Sequence, residues 1–199
     1  AATCRDCAGG TFSPEGAETC TLCSAGTYSS SKAGSCTPCP EGEVSSAASS
    51  SCTGCDASQG FVSSTEGQSS CTFCGPGKRA DSATNKCEDC KAGEFSSGAT
   101  ASCTACEVGQ FSSAESASSC STCAACGSGE EETAPCSASV DRECSACVAG
   151  KSGDGLTCTD CEVGKFSSSS NSGYCNTAPA GYKTNTDKTA AIECATDHF

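Results

Sequence analysis

The stretch CTLCSAGTYSSSKAGSCTPCPEGEVSSAASSSCTGC, residues 20–55, carries the same short text twice. A Cys-x-x-Cys pair is followed three residues later by glycine (Gly26, Gly42), then by Tyr28 or Val44, then by Ser-Ser. A small polar run leads to the next pair. Working outward, such pairs begin at Cys4, Cys20, Cys36 and Cys52, and again at Cys71, Cys87, Cys103 and Cys120. Two more begin at Cys144 and Cys158. A period of about 16 residues marks a repeat architecture, in which each unit buries its face only against its neighbours.

Composition agrees with staples rather than a core. Leu, Ile, Val and Phe number two, one, six and seven in 199 residues, and Trp and Met are absent. So little apolar surface does not offset the entropy of ordering the backbone. The 24 cysteines do. A bridge closing a loop of about 15 residues is worth roughly 3 kcal/mol in the chain-entropy model, and cysteine use on this scale belongs to an oxidising, extracellular compartment. The fold class predicted is a small disulfide-rich repeat protein, an elongated solenoid-like rod of short β/turn modules. The net charge of −13 disfavours nucleic acid and anionic membrane as partners. No apolar run reaches transmembrane length.

Loops open at Cys7, Cys23, Cys39, Cys55, Cys74, Cys90, Cys106, Cys147 and Cys161. Glycine stands three residues on in all but the Cys55 loop, which is longer and carries Gly60. A fixed glycine marks a backbone position with positive φ or a close approach. One apolar residue per module follows it: Phe12, Tyr28, Val44, Phe61, Phe95, Phe111 and Phe166. These are the predicted repeat core, one ring to a disulfide. Arg79 and Ser152 break the pattern, so their modules are expected to be looser. The Ser-Ser pairs suit turns in which hydroxyls bond nearby backbone.

Residues 106–147 depart from the simple repeat: CEVGQFSSAESASSCSTCAACGSGEEETAPCSASVDRECSAC. The Cys-x-x-Gly-x-Phe loop, the Cys-x-x-Cys-x-x-Cys run and the Val-Asp-Arg-Glu before the last cysteine pair resemble a cysteine-rich domain of the tumour necrosis factor receptor family. The simple repeats resemble the ephrin-receptor-like cysteine-rich repeat. The chain is accordingly divided into tandem single-loop repeats (1–105), a receptor-like module (106–147), further single-loop repeats (148–175) and a degenerate terminal repeat (176–199). The receptor resemblance implies the pairs Cys106–Cys120, Cys123–Cys136 and Cys126–Cys144. Extended to the simple modules it implies Cys7–Cys20, Cys23–Cys36, Cys39–Cys52, Cys55–Cys71, Cys74–Cys87, Cys90–Cys103, Cys147–Cys158 and Cys161–Cys175. Cys4 and Cys194 are left over. Cys194 reads as closing a loop whose opening position holds Ala178. Three explanations are open: the chain is an excerpt of a longer array, Cys4 and Cys194 bridge neighbouring copies, or the pairing is shifted to a nested scheme. The nested scheme conflicts with the receptor-like module.

Zinc is the sharpest rival, since Cys4-x2-Cys7-x12-Cys20-x2-Cys23 has four-cysteine spacing. The acidic charge and the repeated Gly-aromatic-Ser-Ser text argue against it, and neither metal nor cofactor is expected. Gly150-Lys151-Ser152 lacks the earlier glycine of a phosphate loop, because Ser145 stands there. His198, the one histidine, is terminal, and no catalytic residues are assigned; the chain is not read as an enzyme. Glu130-Glu131-Glu132 reads as a solvated face and Asp154-Gly155 as a tight turn. The Ser/Thr-rich runs are candidates for O-linked glycans. Asn85, Asn171, Asn176 and Asn185 all fail the N-glycosylation sequon. The function expected first is an extracellular structural scaffold of a coat, appendage or filament that associates with its own copies or with other surface proteins. The alternative is a ligand-binding receptor ectodomain.

Overall fold

A computed structural model describes residues 6–195, and Cys4 and His198 lie outside them. The described chain is a disulfide-rich repeat protein built from eleven two-stranded antiparallel hairpins, most with strands of two residues. One 3-10 turn, Ala57–Gln59, is its single helical element among the described residues. The chain forms two compact units, one from residues up to 106 with 114–120, the other from 107–113 and 121 onward. Seven disulfides lie in the first: Cys7–Cys20, Cys23–Cys36, Cys39–Cys52, Cys55–Cys71, Cys74–Cys87, Cys90–Cys103 and Cys106–Cys120. Four lie in the second: Cys123–Cys136, Cys126–Cys144, Cys147–Cys158 and Cys161–Cys175.

Each module is one such hairpin. In the first, Thr11 faces Leu22 and Phe12 faces Thr21. The amide of Cys23, which opens the next loop, donates to the Gly10 carbonyl at 2.9 Å. The same bond recurs down the chain, from Cys39 to Gly26 and from Cys161 to Gly150. Two more instances were not anticipated from sequence. Cys147 donates to Gly129, which makes Gly129 a second repeat glycine of the receptor-like module after Gly109, and Cys194 donates to Gly181.

That last bond corrects the reading of Cys194. Its backbone stands where Cys23, Cys39 and Cys161 stand, as the cysteine that opens a loop. Ala178, donating to Gly164, occupies the opening position of the eleventh module. Thr184 pairs with Ala191 as Gly153 pairs with Cys158, so Ala191 occupies the closing position. The terminal hairpin, Tyr182–Thr184 with Ala191–Glu193, therefore has alanine at both staple positions.

Successive modules are joined by backbone hydrogen bonds. The amide of Gly10 donates to the Ser29 carbonyl, Gly26 to Ser45 and Gly42 to Ser63. The amide of Lys32 donates back to the Cys7 carbonyl and Ala48 to Cys23. Parallel bridges pair Phe12 with Ala33 and Tyr28 with Ser49. Modules of the first unit also reach the next but one, at Gly10, Gly26, Gly42, Gly60 and Gly77. Gly10 has φ +83°, and a β-carbon there would lie 2.0 Å from the carbonyl oxygen of Ala48. Glycine is thus demanded twice, by the sign of φ and by the backbone pressed against it.

The core follows from this stacking. The most buried side chains are the half-cystines Cys23, Cys39, Cys74, Cys90, Cys147 and Cys161, together with Ser63 and Ser167, all at 1% exposure or less. Phe12, Tyr28, Val44, Phe95, Phe111 and Phe166 are half-buried. Phe61 is a correction: it is exposed at 37%, and Val62, at 4%, takes the core position. Val62 stands two residues after Gly60, as Phe12 stands two after Gly10, and the register Phe61↔Phe73, Val62↔Thr72 repeats Thr11↔Leu22, Phe12↔Thr21. The modules of Arg79 and Ser152 are not looser. Lys78–Asp81 pairs with Lys86–Asp89 over four residues, and Lys151–Gly153 with Cys158–Asp160 over three. Longer strands and cross-strand ion pairs replace the missing ring. Ser152 is half-buried, and Ala80 enters the core at 2%.

Candidate binding surface

The serines of the repeat face inward as well as outward. Ser29, Ser45, Ser63, Ser96, Ser112 and Ser167 are all buried, while the second serines Ser30, Ser46, Ser97, Ser113 and Ser168 are exposed. The Ser29 hydroxyl donates to the Thr11 carbonyl at 2.9 Å and the Ser45 hydroxyl to Thr27 at 3.0 Å, both in the preceding module. Only some bonds are local, such as Ser167 to Ser169. The turn reading missed this role. The signal was present in the sequence as an invariant serine after each core residue.

What varies is the cross-strand pair beside the repeat glycine. In the first unit it is Thr11–Leu22, Thr27–Pro38, Glu43–Gly54, Phe61–Phe73, Lys78–Asp89 and Glu94–Ala105. The second-strand member is exposed every time, and only at Phe61 is the first-strand member exposed too. The rings of Phe61 and Phe73 sit 5.5 Å apart at 58°, and Phe73 is 48% exposed. Beneath them Val62, Cys74 and Ala80 form a hydrophobic cluster with Ala57 and Cys87 packed against it.

Carboxylates are mostly engaged. Lys78 pairs with Asp89 at 2.5 Å and Arg79 with Glu88 at 2.5 Å. The Lys78 ammonium, and then the Ser116 hydroxyl, hold Asp89 below the usual carboxylate range. Glu162 is lowered by its bond to Lys165. The run Glu130-Glu131-Glu132 is not a simple solvated face. Glu130 accepts from the Gly127 amide at 2.8 Å, Glu131 from the Cys158 amide at 3.2 Å, and Glu132 pairs with Arg142 at 2.8 Å. Asp141 accepts from the Ala124 amide at 2.7 Å. The Val-Asp-Arg-Glu text thus ties parts of the receptor-like module to one another, Asp141 to the Ala124 backbone and Arg142 to Glu132 on the facing strand. At Asp154-Gly155 the side chain accepts from the amides of Leu156 and Thr157, which closes a tight turn.

Cys123, Cys136 and Asp141 bring ligand atoms within 4.8 Å of one another, but the two sulfurs share a bond and present no thiolate, the form that binds zinc. In the second unit an open cleft of about 270 Å³ is lined by Lys151, Asp160, Asp187 and Lys188. Lys151 is already paired with Asp160 at 3.3 Å. Cys194 is exposed and has no disulfide partner among the described residues. Among the described residues no helix is long and apolar enough to cross a membrane.

Comparison with known families defines the class. Residues 106–144 match the TNFR/NGFR cysteine-rich region. Residues 10–46 match the family described as tyrosine-protein kinase ephrin type A/B receptor-like. The chain carries cysteine-rich modules of both kinds, the type found in receptor ectodomains. A search of curated proteins returns no match.

Proposed function

We propose that this chain is the protein-contacting part of a secreted or cell-surface protein, which binds a protein ligand through its module faces without a catalytic step. One observation carries this reading. The residues that join modules repeat from hairpin to hairpin, whereas the outward pair changes at every module of the first unit, from Thr–Leu through Glu–Gly to Phe–Phe and Lys–Asp. A constant interior with a changing exterior gives each module its own contacts, as a recognition surface requires. The receptor-type modules support the same reading.

A structural scaffold that packs against its own copies is the second reading. The regular repeat and the small, polar exposed serines favour it. Sedimentation of the oxidised chain across roughly 1–100 µM, in the range where transient interfaces populate, with electron microscopy of the same material, separates the two. A monomer that binds one protein partner saturably supports the first reading, and ordered assembly of the chain alone supports the second.

A further inference from the structure

We propose that the Phe61–Phe73 pair is the anchor of the ligand surface and that its occupant is a basic segment of a protein partner, an arginine or lysine beside an apolar side chain laid over the two rings. This rests on the receptor reading above and names the chemistry of its ligand.

The rings are not needed for the core of their own module, because Val62 fills that position at 4% exposure. They are exposed at 37% and 48% although they touch each other. At the same place every other module of the first unit has no ring at all. Their base is also rigid. The longer Cys55 loop folds into the Ala57–Gln59 turn, capped by Asp56, which accepts from the Ser58 amide at 2.9 Å. Ala57 packs on the Val62, Cys74 and Ala80 cluster. On the far side Phe73 meets Gly98 of a later module, where a β-carbon would lie 3.5 Å from the Phe73 ring. Exposed aromatics held on a preorganised base are the residues that dominate protein interfaces, since little entropy remains to be lost on binding.

Charge selects the partner. Residues 6–73 hold seven carboxylates: Asp6, Glu15, Glu18, Glu41, Glu43, Asp56 and Glu66. Their one cation is Lys32, already paired with Asp6 at 3.1 Å, and on the other side residues 74–106 balance Lys78, Arg79, Lys86 and Lys91 with Asp81, Glu88, Asp89 and Glu94, the first two being paired with Asp89 and Glu88. That field attracts a basic segment and repels an acidic one. An open aromatic face adds a cation–π site, best filled by a guanidinium.

The test is a random peptide library displayed on phage, panned on the oxidised chain and counter-screened on Phe61→Thr/Phe73→Leu. That variant installs the pair that Thr11 and Leu22 already form, so the hairpin keeps a combination the fold accommodates. Peptide mapping of its disulfides checks folding, and Phe61→Tyr/Phe73→Tyr, which keeps both rings, is the second variant. The clones expected carry Arg or Lys beside an apolar residue, bind the Thr/Leu variant at least tenfold more weakly and retain the Tyr/Tyr variant. Their affinity falls several-fold between roughly 50 and 300 mM salt, as screened charge contacts do. Clones that bind wild type and the Thr/Leu variant alike overturn the anchor while leaving the receptor reading in place. Acidic clones overturn the charge argument. A dimer of the chain itself that the Thr/Leu variant abolishes makes a second copy the occupant and overturns the basic partner. Assembly of the chain with no peptide binder of any kind removes both this inference and the receptor reading.

Discussion

Two glycines with nearly the same backbone angle separate the two demands that stacking makes at the level of single residues. Gly10 has φ +83° with the Ala48 carbonyl pressed against it, and Gly16 has φ +81° with nothing within 4 Å. Alanine at position 16 meets only the cost of positive φ, about 1 kcal/mol. Alanine at position 10 meets that cost and must also displace the backbone two modules away. Gly10→Ala is expected to lose at least about 3 kcal/mol of stability and Gly16→Ala about 1, measured as midpoints of denaturant unfolding with disulfides intact. Equal effects would remove the close approach from the account. Asp81 supplies a prediction in pH. The Ala83 amide first, then the Thr84 hydroxyl, hold its carboxyl below the ordinary 3.8. A carboxylate whose folded pKa is depressed contributes stability that is present above the unfolded value and lost as pH falls through the folded one. The amide signals of Ala83 and Thr84 are therefore expected to hold steady from pH 7 to about 4 and to shift only below it. The Asp81→Asn variant should flatten that titration. A midpoint at or above the ordinary value would contradict the turn geometry.

Hairpins are the unit in which sequence and structure diverge most usefully. The eleventh module has Ala178 and Ala191 where its neighbours have a disulfide, yet it keeps the hairpin, the Cys194-to-Gly181 bond and a contact from Asp187 to Gly150. Ala178→Cys/Ala191→Cys is accordingly expected to close a new bridge. Non-reducing peptide mapping would join the two peptides, and the midpoint should rise by up to about 3 kcal/mol for a loop of this length. Free thiols at both positions after oxidative refolding would mean that the positions are not equivalent. The buried serines give a second test. Ser29→Ala removes the bond to Thr11 and should cost about 1 kcal/mol, while Ser30→Ala, on the exposed side, should stay within about 0.5. The repeat and the position of its glycines were legible because the cysteine pairs recur about every 16 residues with glycine at a fixed offset from each. The serines were legible as a pattern and not as a role. A hydroxyl that bonds a carbonyl 18 residues away looks, in sequence, like one that bonds its own turn. Phe61 misled for a related reason. The register from Gly60 onward is that of the other modules, so the inward residue is Val62, two after the glycine, and the larger ring beside it drew the assignment one residue early, which in a two-residue strand is the opposite face. The looseness expected of the Arg79 and Ser152 modules failed because strand length and ion pairs, which no residue type announces, substitute for a ring.

At the scale of the whole molecule, sulfur–sulfur bonds and a backbone ladder stand in for an apolar interior. Each of the eleven bridges is worth roughly 3 kcal/mol in the chain-entropy model, and 16 large apolar residues in 199 leave little else to replace them. Treatment with a phosphine reductant is expected to collapse amide dispersion and expand the hydrodynamic radius, while EDTA leaves both unchanged. A structure lost to EDTA would restore zinc as the staple. Because modules of the first unit bond to the next and touch the one after, loss there should also spread by neighbours rather than all at once. Cys23→Ser/Cys36→Ser removes one staple in the first unit. Its neighbours bond to it at Gly10 and Ser45, and the Gly67 carbonyl of the module after next lies close against Gly26. Hydrogen exchange should therefore accelerate from Cys7 to about Cys71 and stay unchanged at the amides of Cys90 and Cys106, whose carbonyl partners are Gly77 and Gly93. Uniform acceleration across the first unit would instead show one cooperative body and contradict the neighbour-by-neighbour ladder.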